Sequence, residues 1–227
     1  MKKAMKTFLA GIIFISAMQA QENTTTVTLD GFTEIKAYDQ INVTLIQGDK
    51  NYAVVSGDDQ EKVSLNNKDG LLKVAMETDN FLDGNKTYVT LYHKEDLRLV
   101  DANEGATISS EKPLDAVFLT LRSQEGAKIN VAVATRNLNA KAVTGGEVEV
   151  TGSAKNQEIN IRSGGDYNGQ DLASEQSEVT VFAGGNAIVK SSKFVDANVT
   201  AGGTIEIYGN PETVKEDKTL GGQIVVR

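Results

Sequence analysis

Seven glycines in the second half of the chain fall at nearly equal steps. Gly105, Gly126, Gly145, Gly164, Gly184, Gly202 and Gly221 are separated by 21, 19, 19, 20, 18 and 19 residues. A fixed period near 20 constrains a chain more than any composition does, because each repeat must form one turn of a stacked superhelix. The flanks agree. The second and fourth positions beyond the residue that follows each glycine include Ile129/Val131, Val148/Val150, Ile205/Ile207 and Ile224/Val226. The third and fifth positions before it include Ala142/Ala140, Ile161/Ile159 and Val181/Val179. Alternation with period two on both sides is what strands with one buried face require. Each glycine then marks a tight turn between two strands.

These features predict an all-β fold, a single-domain parallel β-helix (solenoid) of about 19-residue coils with two main sheets and an N-terminal β-rich cap. A coil of that length holds two strands of ~5–6 residues and two turns. Successive coils should advance by ~4.8 Å, the spacing of neighbouring strands. Residues 27–95 read as short strands separated by turns such as Gln47-Gly48-Asp49-Lys50 and Lys68-Asp69-Gly70. They are the natural cover for one end, and the Gly-turn repeats occupy 96–227, starting near Leu97. At the other end Gly209-Asn210-Pro211 and the charged run Glu212 to Lys218 precede a final strand from Gln223.

The first residues carry a different signal. A basic start (Lys2, Lys3, Lys6), an apolar run from Phe8 to Ile15 and a small-residue site ending at Ala20 form the three parts of a secretory signal peptide. The apolar run is far shorter than the ~20 residues of a membrane span. Cleavage after Ala20 leaves a Thr-rich lead-in over 21–26 and moves the formal charge from −8 to −11. So acidic an exported chain is a poor partner for nucleic acid or anionic lipid, whose recognition rests on Lys and Arg. It contains no cysteine, so no disulfide framework and no lipid-bearing cysteine are expected.

Several segments, taken in order, resemble a known family. Phe32-Thr33-Glu34-Ile35, Ile41 through Gly48, Val54-Val55-Ser56-Gly57-Asp58, the Gly70-Leu71-Leu72-Lys73-Val74 strand start and Tyr208-Gly209-Asn210-Pro211 resemble the head GIN domain family of putative autotransporter adhesins. The resemblance covers nearly all of the mature chain. It implies an exported Gram-negative protein of the periplasm, outer surface or extracellular space, with a parallel β-helical head and a role in adhesion. It brings no catalytic residues with it. Family repeats often read Gly-Ser-Gly or Ser-Gly-Gly, whereas the first two here are Glu104-Gly105-Ala106 and Glu125-Gly126-Ala127.

Catalytic and metal chemistry find little support. A Ser or Cys hydrolase needs a nucleophile beside an oriented base, and His93 is the lone histidine, read as a surface or junction residue. One histidine and no cysteine also disfavour zinc. In Asp79 to Asn85, Phe81 occupies an oxygen-ligand position of an EF-hand loop. Gly164 to Leu172 is similar to one calcium nonapeptide, but such sites share ions between repeats and no second copy exists. Turn chemistry accounts for both segments. Neither a metal nor any other cofactor is expected.

Period-two counting turns other residues outward. After the turns, Glu147, Glu149 and Asp166 form an acidic group; before them, Arg122, Lys141 and Arg162 form a basic stripe with Phe182 exposed beside it. Polar side chains at ~4.8 Å intervals on a rigid surface suit a glycan or protein ligand. They equally suit the solvated outside of any solenoid. The leading expectation is a non-enzymatic, adhesin-like binding protein that recognises its partner through a flat face, weakening with salt because its charges are exposed. One alternative is a polysaccharide-acting β-helix enzyme, which needs carboxylates and a basic residue on the same face. Another is a structural protein that self-associates through faces or ends as a homo-oligomer.

Overall fold

The computed structural model describes residues 24–227 except positions 78, 80 and 81. The signal peptide, the start of the lead-in and part of the Asp79–Asn85 segment lie outside the described residues. The strands are β1 (Thr24–Thr28), β2 (Glu34–Ala37), β3 (Asn42–Gln47), β4 (Tyr52–Gly57), β5 (Val63–Lys68), β6 (Leu71–Met76) and β7 (Thr87–His93). They continue with β8 (Leu99–Ala102), β9 (Thr107–Gln124), β10 (Lys128–Val143), β11 (Glu147–Arg162), β12 (Asp166–Asn168) and β13 (Leu172–Phe182). The last are β14 (Asn186–Thr200), β15 (Thr204–Tyr208), β16 (Thr213–Thr219) and β17 (Gln223–Val226). A 3-10 turn, Gln60–Lys62, lies between β4 and β5.

All of the strands join one 17-stranded sheet that winds round the core as a β-solenoid. On the side that precedes each glycine turn the order is β5–β6–β2–β8–β9–β10–β11–β13–β14–β16. On the side that follows it the order is β1–β4–β7–β3–β9–β10–β11–β12–β14–β15–β17. From β6 and β7 onward every pairing along the stack is parallel. The parallel stack therefore starts well before Leu97: β2/β3 slot between β6/β7 and β8/β9 as full coils. Only β1, β4 and β5 pair antiparallel and close the N-terminal end.

The coils whose second corner is rounded by one continuous strand, β9, β10, β11 or β14, have one turn where the sequence predicts two. Arg162 to Gly165 shows how that turn is made: Ser163 (φ 52°) and Gly164 (φ 77°) are both left-handed, and the Gly165 N–H donates to the Arg162 carbonyl at 3.2 Å. Two successive positive φ angles are the geometry of a type I′ turn. The other corner has no turn at all in β9, β10 and β11, which bend round it while still paired. Their inward phase changes there. In β10, Ile129, Val131 and Val133 point in before the corner and Leu138, Ala140 and Ala142 after it. The uneven glycine spacing is absorbed at this corner as well, by a register shift opposite Glu111-Lys112-Pro113 and by the Gly169-Gln170-Asp171 break between β12 and β13.

The core is a column of buried Ile, Val, Leu and Ala running the length of the stack. Fully burying one such large side chain contributes ~1.5–3 kcal/mol. One polar island interrupts it. The Tyr167 hydroxyl donates to Gln157 at 2.8 Å, Gln157 donates to Ser174 at 3.0 Å, and Ser174 meets Ser191 at 2.6 Å, with Ser177 bonded to Ser191. Burial pushes the Tyr167 phenol pKa upward. At the C-terminal end the inward columns close differently: Glu216 follows Ala197 and Lys218 follows Val199, and the two charges pair at 3.4 Å.

Candidate functional site

Because the coils stack in register, outward side chains form columns parallel to the solenoid axis, one residue per coil at ~4.8 Å intervals. On the after-turn side one column reads Asn42, Thr107, Lys128, Glu147, Asp166, Asn186, Thr204, and its neighbour reads Thr44, Ser109, Asn130, Glu149, Asn168, Ile188. Glu147 and Asp166 are therefore register neighbours, and Glu149 lies beside them. Their charges are engaged within the face. Lys128 Nζ meets Glu147 at 2.9 Å, Asn186 donates to Asp166 at 2.8 Å and Asn130 donates to Glu149 at 3.4 Å. Carboxylates so held are acceptors in a polar surface, with no partner oriented as an acid–base pair.

The before-turn side carries four outward columns. The two nearest the glycines hold the residues expected from the sequence, but not as one stripe. Arg122 and Lys141 are register neighbours, followed by Asn160, Thr180 and Asn198. Arg162 belongs to the adjacent column, between Val143 and Phe182. Phe182 is 48% exposed. Toward the N-terminal end Arg122 follows Asp101, which is outward by register yet 1% exposed. Lys36 pairs with the Asp101 carboxylate at 3.2 Å and Asn103 donates to it at 3.1 Å, so a charged side chain is buried with its partners.

The other two columns lie beyond the reach of a five-residue strand and were missed for that reason. The sixth positions before the glycines give Thr120, Asn139, Glu158, Glu178 and Asp196; the eighth give Phe118, Asn137, Asn156, Gln176 and Phe194. Three adjacent carboxylates therefore stand on the same side as Arg122 and Lys141, and the expected segregation of charge between faces does not hold. Asp196 is held by Lys215 at 2.8 Å, which draws its pKa below the usual carboxylate range, and Asn160 donates to Glu158 at 3.1 Å. Among the described residues Glu178 and Gln176 make no side-chain hydrogen bond.

Between these two columns runs a shallow cleft of about 450 Å³. Asn156 donates to Asn137 at 2.9 Å along its floor. Phe118, 65% exposed, and Phe194 stand at its two ends, four coils or ~19 Å apart. The cleft adjoins the turnless corner, where Val117 is also 62% exposed.

His93 is 2% exposed, not a surface residue, and its Nδ1 lies 3.0 Å from the Glu95 carbonyl. Closing β7, it faces inward and has no nucleophile arranged on it. The Gly164–Leu172 segment holds the end of one glycine turn, the short strand β12 and a second turn in which the Gln170 N–H donates to Asn168 Oδ1 at 3.2 Å. Among the described residues no group of three or more His, Cys, Asp or Glu is placed to hold a metal ion. Nor, among the same residues, is any helix long and apolar enough to cross a membrane.

The fold and family can now be compared. A crystal structure of a putative adhesin from Bacteroides fragilis superposes with a TM-score of 0.83 at 19% identity, over 92% of this chain and 98% of that one. A putative lipid binding protein from Parabacteroides distasonis gives 0.72 at 17% identity, over 92% and 98%. A putative adhesin from Parabacteroides merdae gives 0.70 at 17% identity, over 91% and 97%. At such identities the likeness is one of fold. No curated protein matches the chain. The family model described as putative auto-transporter adhesin, head GIN domain, matches residues 31–211, and with the glycine-turned solenoid in place the chain belongs to that family.

Proposed function

We propose that the protein is an exported, non-enzymatic, adhesin-like binding protein that holds a glycan or protein ligand against one face of the solenoid. The observation that carries this reading is the register itself. It fixes polar and aromatic side chains in straight columns on rigid strands, which suits many repeated contacts with an extended ligand better than a single pocket. The before-turn face is the stronger candidate, because it combines exposed phenylalanines with Glu178 and Gln176, whose side chains make no hydrogen bond among the described residues. Its mixed charge also changes one expectation. With Glu158, Glu178 and Asp196 among Arg122, Lys141 and Arg162, affinity should depend only weakly on salt.

A glycan array and an envelope-protein overlay, each probed with the mature protein with and without calcium, test this reading. Binding lost in a Thr180→Arg variant, which plants a bulky cation mid-face, and kept in Asn130→Arg on the other side is the expected outcome. Depolymerisation of any polysaccharide that disappears in Glu147→Gln would replace it with the enzyme.

A further inference from the structure

Resting on that face-binding reading, we propose that the cleft between Phe118 and Phe194 binds a neutral, hydroxyl-rich polysaccharide lying along the solenoid axis. Three features of the cleft narrow the ligand to this class. Its floor is a ladder of amides, Asn137, Asn156 and Gln176, which offer both donors and acceptors to hydroxyl groups. Its wall is the column Thr120, Asn139, Glu158 and Glu178, whose two carboxylates are acceptors only when ionised, so a ligand must bring donors to that part of the cleft. A sugar hydroxyl does; a uronate, sulfate or phosphate brings further negative charge, and like charges so close repel.

The two ends supply the apolar half of the recognition. A pyranose ring has a C–H face that packs on an aromatic ring and a rim of hydroxyls that reaches polar groups beside it. Phe118 offers such a surface at one end of the cleft and Phe194 at the other, and the ~19 Å between them requires a polymer of several sugars to engage both. A protein partner fits less well. It would bury Gln176 and Glu178 at the centre of its interface, where charged residues are depleted.

Native affinity gels containing hydroxyethylcellulose, galactomannan or polygalacturonate test the assignment. At least one neutral polymer is expected to retard the protein, and polygalacturonate less than either. Phe118→Ala, at a solvent-exposed position where folding is safe, should weaken retardation at least ~2-fold, and the Phe118→Ala/Phe194→Ala pair at least ~5-fold. Glu178→Gln should weaken it too, while Asn130→Arg on the after-turn side should leave it unchanged. Retardation by polygalacturonate alone, or neutral binding indifferent to Phe118→Ala, overturns the cleft assignment. Absence of retardation by both neutral polymers also overturns it, and leaves the face-binding reading to be judged by the array and overlay.

Discussion

At the scale of single residues, two glycines side by side work for different reasons. Gly164 is needed for its dihedral: a Cβ there would meet nothing within 4 Å, but φ is 77°. Gly165 is needed for space, since a Cβ would sit 2.3 Å from the Ala142 carbonyl oxygen of the neighbouring coil. Gly164→Ala should cost ~1 kcal/mol, the usual left-handed penalty, and Gly165→Ala distinctly more, because backbone must shift between stacked coils. Thermal melts of the two variants check the order; equal melting temperatures would show that the coils can part at no cost. Glu104 makes a second residue-scale case. Burial, and then the nearby Asp39 carboxylate, raise its pKa above the ordinary value. A carboxyl raised on folding favours the native state at low pH, and that advantage disappears as pH rises through its folded pKa. Glu104→Gln should therefore raise the melting temperature at neutral pH, with the gain vanishing in acid. A gain that is the same at both ends of the pH range would disprove the linkage.

At the scale of elements, the glycine period and the inward alternation were enough to specify the solenoid, because a buried column repeated coil after coil leaves a strong pattern. What could not be seen was where a strand stops. The corner at Thr135 to Asn137 has no glycine, and the inward phase changes there without any turn residue to mark it. Strands taken as five residues end before Glu158 and Asn156, so the acidic and amide columns went uncounted and the charge pattern looked segregated. The same limit hid the β2/β3 coil. Parallel pairing of Lys36 with both Lys73 and Asp101 is a long-range fact with no local signature. Asp101, outward by register, is a buried carboxylate held by Lys36 and Asn103. Asp101→Ala should strand Lys36 and Asn103 and cost ~1–3 kcal/mol, measurable by urea titration; a loss near zero would mean that water already satisfies the pair.

At the scale of the whole molecule, a solenoid has to end, and the two ends do so by different means. The N-terminal end turns its last strands antiparallel. The C-terminal end keeps β16 and β17 parallel to the stack, so their outer edges face solvent with unpaired backbone groups, the geometry that recruits further strands. What guards it is charge in the inward columns. Glu216 and Lys218 continue the lines of Ala197 and Val199, so the next coil would have to bury a Glu–Lys pair that now sits about half-exposed in water. Converting both to valine would extend the apolar column to the very edge, beside Ile224 and Val226, and remove the cost of burying charge. A Glu216→Val/Lys218→Val variant should therefore form end-to-end dimers or larger assemblies as its concentration rises, under conditions where the unaltered protein keeps a constant mass. Light scattering across a concentration series measures this. If the variant shows the same mass as the parent at every concentration, the two charges are not what keeps the open edge from pairing.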